Sequence, residues 1–64
     1  MSFIKLTSVL TNSDVFININ HIGHIYDNPE EQNTNVGVTT HRNGGFKVKQ
    51  PSKVILDLIS EKLS

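Results

Sequence analysis

The chain has 64 residues and no cysteine, and six Lys and Arg balance six Asp and Glu for a formal net charge of zero. That length allows one domain, residues 1–64, with a core that hides only about 60% of the surface the unfolded chain exposes. Disulfide staples and thiolate metal sites are excluded, and the even charge argues against nucleic acid, which calls for a basic stripe.

Phe3-Ile4-Lys5-Leu6-Thr7-Ser8-Val9-Leu10 reads as a first strand, with Ile4 and Leu6 on one face and Lys5 and Thr7 on the other. Phe3 falls on the polar face. Thr11-Asn12-Ser13-Asp14 is a turn, because these side chains hydrogen-bond their own backbone. Val15 to Asn20 alternates most cleanly: Val15, Ile17 and Ile19 point inward, Asn18 and Asn20 outward. A tight turn at Asn20 to Ile22 then leads into a third strand through Tyr26.

The stretch from Asp27 to Asn35 is polar, contains Pro29, Glu30 and Glu31, and shows no period. It is expected to be an exposed loop. Val36 and Val38 alternate with Gly37 and Thr39 in a fourth strand, and Phe46 and Val48 mark a fifth. Between them Arg42-Asn43-Gly44-Gly45 suits a hairpin turn, since Asn-Gly supplies the positive φ values of a type I′ turn. A helix is predicted from Pro51 to Leu63, with Gln50 or Ser52 as its cap. Val54, Ile55, Leu58, Ile59 and Leu63 form its apolar stripe, and Leu56 lies off it.

Chemistry has few candidates. His21, His24 and His41 are the imidazoles, and Asp27, Glu30 or Glu31 are the carboxylates nearest in sequence. Zinc needs three or four converging ligands, so polar side chains at sheet edges are the plainer reading, and no metal or cofactor is expected. The carboxylates fall on predicted turns, a loop and the wet face of a helix, and there is no Gly-x-Ser-x-Gly elbow. No catalytic residue is assigned and an enzyme is not expected. Asn18, Asn20 and Thr40 are the candidates for a hydrogen-bonding patch toward a peptide or small ligand, although solvated strand positions and turn chemistry are the plainer reading.

Several of these segments carry a resemblance. Phe3-Ile4-Lys5-Leu6-Thr7, then Ile17, Asn18, Ile22 and Ile25, then Asn43-Gly44 and a closing amphipathic helix are similar to the FlbD-like family of small flagellar-operon and swarming-motility proteins. The likeness covers nearly the whole chain. It implies a small β-rich fold and a motility-related role. The chain departs from that pattern with a longer Asn28-to-Thr34 segment and with Val48-Lys49-Gln50-Pro51 leading into the helix. Small proteins of phages have a similar shape, as does the longer, more basic core of LytTR DNA-binding domains.

The expected fold is α+β: a small antiparallel sheet of four or five strands with one C-terminal amphipathic helix. No leader precedes Phe3 and no apolar run approaches the ~20 residues of a membrane span, so the chain reads as soluble and cytoplasmic, without a membrane partner. A core this thin, with neither disulfide nor metal, calls for a partner subunit. Phe3, Phe16, Tyr26 and Leu56 lie off the predicted inner faces and are the expected interface of a homo-oligomer. The expected function is a non-catalytic assembling or adaptor module that binds another protein. The alternative is an oligomeric small-ligand-binding or sequestering protein, such as a phage-encoded inhibitor.

Overall fold

Alternating Ile4 and Leu6 with Lys5 and Thr7 produces β1, Phe3–Thr7, in the computed structural model, which describes residues 2–39 and 45–63. β1 pairs antiparallel with β2, Asp14–Asn18, so that Ile4 faces Ile17 and Leu6 faces Val15. The turn between them is held by Ser8 N–H to Ser13 C=O at 2.8 Å and by Thr11 and Ser13 hydroxyls 2.7 Å apart. Asn12 takes a left-handed φ of 58° there, which asparagine tolerates better than most residues.

β2 runs into a 3-10 turn, Ile19–His21, where the Asn18 side chain accepts from the Asn20 N–H at 3.0 Å. The tight turn expected at Asn20 to Ile22 is therefore present, one residue earlier. Three antiparallel strands follow in the order β3-β4-β5: β3 is Ile22–Asn28, β4 is Asn33–Val38 and β5 is Phe46–Val48. Helix α1, Ser52–Leu63, comes last. Of the predicted Arg42-to-Gly45 turn only Gly45 is among the described residues. Its φ of 140° and its position against the Val36 carbonyl, where a β-carbon would overlap the backbone, restrict it to glycine.

Three expectations need correction. The single sheet is instead two sheets, of two and three strands. They meet along one short seam: an isolated bridge between Ser8 and Val48, with Val9 N–H to Lys47 C=O at 3.0 Å and Lys49 N–H to Thr7 C=O at 2.9 Å. Beyond that bridge, twisted strands diverge and the ladder stops. The Gln50 side chain completes the seam, accepting the Thr7 N–H at 2.8 Å and donating to Thr7 Oγ1 at 3.0 Å.

The second correction concerns the predicted loop from Asp27 to Asn35. Asp27 and Asn28 belong to β3 and Asn33 to Asn35 belong to β4, leaving only Pro29 to Gln32 as the connection. Asn33 and Thr34 are buried. Polar residues occupy strand interior here because each finds a partner: Asn28 Nδ2 donates to Asn33 Oδ1 at 2.9 Å and to Asn35 Oδ1, and Thr34 Oγ1 donates to Asp27 Oδ1 at 3.0 Å.

The third concerns the helix stripe. Ile4, Leu6, Ile17, Val36 and Val48 form the core from both sheets, and from α1 only Ile55 is fully buried. Leu58 and Ile59 are partly buried against it, whereas Val54 and Leu63 are exposed. α1 lies against β1 and β3 as a cap, so a single side chain reaches the centre. Among the described residues no helix is long and apolar enough to cross a membrane.

The start of α1 is fixed from a distance. Asp27 Oδ1 accepts the Ser52 N–H at 3.0 Å, and Oδ2 accepts the Ser52 hydroxyl at 2.6 Å. A carboxylate at this end also meets the positive pole of the helix. The Ser52 hydroxyl bond, then the Ser52 N–H and Thr34, hold the Asp27 carboxyl below its ordinary value. Its folded value lies below its unfolded one, so the stability it contributes is present above the ordinary aspartate range and is lost as pH falls through the folded value.

Two measurements check this arrangement. Ile55→Ala is expected to cost about 2–5 kcal/mol in urea melts, and Leu58→Ala distinctly less, because only Ile55 leaves a sealed cavity. Asp27→Asn is expected to lower Tm at neutral pH, with the gap to the parent protein closing as pH drops below about 3.9; a gap independent of pH would mean that the carboxylate's charge does not hold the helix.

Candidate functional site

Hydrogen-bond parity in the β1–β2 ladder decides what β2 offers to its surroundings. Ile19 N–H donates to Ser2 C=O at 3.0 Å, and Ser8 N–H to Ser13 C=O, at opposite ends of one continuous register. In an antiparallel ladder bonded and non-bonded residue pairs alternate. Ile4–Ile17 and Leu6–Val15 are therefore the bonded pairs, and the backbone groups of Asp14, Phe16 and Asn18 turn away from β1. Among the described residues no strand pairs with that side of β2.

The side chains at the middle of this edge are apolar, between Asp14 and Asn18 at its ends. Phe16 stands opposite Lys5, and Phe3 opposite Asn18, so the two phenylalanines lie diagonally on one outer face. Phe3 is 43% exposed and Phe16 64%. A groove of about 260 Å³ follows the edge, lined by Phe3, Val15, Phe16 and Ile17 on one side and by Val38 and Phe46 of the three-stranded sheet on the other. His21 and Asn18 close one end of it.

The other two expected interface residues lie elsewhere. Leu56 is exposed and lines a groove of about 430 Å³ between α1 and β3, with Ile22, Ile25 and Ile59. Tyr26 is on the outer face of the three-stranded sheet, opposite Asn35. Its ring stacks on His24 with centroids 5.7 Å apart and planes 15° from parallel. The His24 imidazole lies over Gly37, where a β-carbon would overlap the ring. Glycine at that position leaves the room that lets the ring lie flat.

The polar patch is only partly assembled. Asn18 spends its side-chain oxygen on the Asn20 N–H, Asn20 is exposed, and Thr40 lies outside the described residues. His41 also lies outside them. Among the described residues no three His, Cys, Asp or Glu side chains converge on a point that could hold a metal ion. Asp27 is engaged by Ser52 and Thr34, and Glu31 by Lys47 at 2.8 Å. The Lys47 hydrogen bond and charge hold the Glu31 carboxyl below its ordinary value. Both partners of that ion pair are about half exposed, so it contributes little to stability.

Sequence reasoning missed the Asn28–Asn33–Asn35 amide cluster and the Asp27 clamp. One signal for the first was available: Thr34, Val36 and Val38 alternate without interruption, which carries β4 back into the polar stretch.

Comparison with known proteins found no matching family model, no matching curated protein and no matching solved structure.

The stacked pair yields a test of local geometry. Gly37→Ala is expected to displace the His24 ring and lower Tm. In a His24→Ala background the same change is expected to cost less, and equal costs in both backgrounds would show that the imidazole does not occupy that space.

Proposed function

We propose that this chain is a small, non-catalytic assembling module of the cytoplasm that binds protein, itself included. The observation that carries the reading is the β2 edge: backbone groups of Asp14, Phe16 and Asn18 turned outward beside exposed Phe3 and Phe16 and an apolar groove. Unpaired strand edges flanked by apolar side chains invite further strands, and proteins normally cover or charge them. Here the centre of the edge carries phenylalanine. The resemblance to the FlbD-like family supports a motility-related setting for such a module.

The sequestering alternative draws less support. Its polar patch contributes Asn18, whose side-chain oxygen already caps the 3-10 turn. A catalytic role draws less still, because Asp27 and Glu31 each serve a structural contact.

Sedimentation velocity at micromolar concentration tests the proposal. The parent protein is expected to sediment as a dimer or larger closed assembly, with Phe16→Asp monomeric and an unchanged far-ultraviolet circular dichroism spectrum. A monomeric mass for the parent protein would overturn self-assembly.

A further inference from the structure

We infer that the β2 edge is occupied by β2 of a second copy, antiparallel and centred on Phe16, so that the two-stranded sheet becomes a four-stranded one across a two-fold axis. The inference rests on the assembling role proposed above and specifies its geometry.

Three observations lead to this occupant and this register. The first is self-complementarity. Asp14-Val15-Phe16-Ile17-Asn18 reads polar, β-branched, aromatic, β-branched, polar in both directions. A two-fold interface requires that one patch complement itself. Centred on Phe16, the pairing sets Phe16 against its symmetry mate, Val15 against Ile17 and Asp14 against Asn18.

The second is hydrogen-bond parity. Asp14, Phe16 and Asn18 are the residues whose N–H and C=O groups face outward, and this register makes all of them members of bonded pairs. Val15 and Ile17 then form the closer, non-bonded pairs that bring side chains together on the groove side. At the ends of this ladder the Asn18 C=O already accepts the first bond of the 3-10 turn, so the Asn18 N–H carries the pairing with Asp14 of the mate.

Charge and chain direction supply the third, because they remove the competing registers. A pairing centred on Asp14 sets two carboxylates directly opposite, which is unfavourable. One centred on Asn18 places Phe16 opposite Asn20, inside the 3-10 turn where no extended backbone is available. The register centred on Phe16 sets each Asp14 against a neutral Asn18 and keeps all five residues of both strands in the ladder.

A two-stranded sheet alone is marginal, and joining two of them supplies the strand count that a stable sheet needs. The outer face then carries Lys5, Phe16, the mate of Phe16 and the mate of Lys5 in one cross-strand row. Both phenylalanines lose solvent at the axis.

A charge exchange at Asp14 and Asn18 decides the register, and Asn18→Asp keeps the capping chemistry of the 3-10 turn, since aspartate caps as well as asparagine. In the parent background, Asn18→Asp creates two opposed Asp pairs and is expected to weaken the dimer about ten-fold by sedimentation equilibrium. Adding Asp14→Asn restores one carboxylate per pair and is expected to return the dissociation constant to within about two-fold of the parent value. A dimer whose affinity ignores Asn18→Asp, or stays weakened in the double variant, overturns this register while leaving self-assembly standing. A monomeric parent protein overturns both and leaves the edge to a strand from a different protein.

Discussion

The fold depends on the seam at Thr7. The two sheets share no extended ladder, and what unites them is a handful of bonds between Thr7 to Val9 and Lys47 to Gln50. Thr7 uses its C=O on the Lys49 N–H and both its N–H and its hydroxyl on the Gln50 amide. The side-chain amide substitutes for a strand neighbour at the point where β5 ends. This seam brings Leu6 and Val48 to full burial and sets the direction from which α1 enters.

Polar side chains, rather than additional apolar ones, extend that framework. Asp27 ties β3 to α1, Asn28 ties the end of β3 to β4, and Lys47 reaches Glu31 across the β3–β4 connection. A small core cannot hold every element by burial alone. Side-chain hydrogen bonds at the rim locate β3 and its connection to β4, which contribute none of the six buried apolar residues, Ile4, Leu6, Ile17, Val36, Val48 and Ile55. Among the described residues no buried side-chain nitrogen or oxygen lacks a partner, in keeping with that use. The cost of this economy is exposed apolar surface, with Phe3 and Phe16 on one sheet and Leu56 on the helix.

Where apolar alternation governs a segment, the sequence was a good guide. β1, β2 and α1 follow from Ile4 and Leu6, from Val15 and Ile17, and from the helical spacing about Ile55, and the outward position of Phe16 follows from the same period. The failures share one cause. Asn28, Asn33 and Asn35 look like loop residues until the partner amide is known, and that partner sits across a strand pair. Asp27 caps a helix that begins 25 residues later, so no local motif announces it. The division into two sheets depends on how far β1 and β5 run together before their twists part, which residue pattern does not encode. The edge of β2 was legible as a strand, but which of its backbone groups face outward emerged only from the register.

The seam also bears on how the molecule gains and loses its structure. Thr7 and Gln50 are 43 positions apart, so the contact that unites the sheets lies between distant parts of the chain. The β1–β2 hairpin without it is a two-stranded piece with an uncovered apolar face, and the β3–β5 meander without it lacks the side chains of Ile4, Leu6 and Ile17. Neither piece encloses a core on its own. Burial of the six core side chains thus requires the hairpin, the meander and the helix together, which is the arrangement that favours cooperative unfolding in small domains.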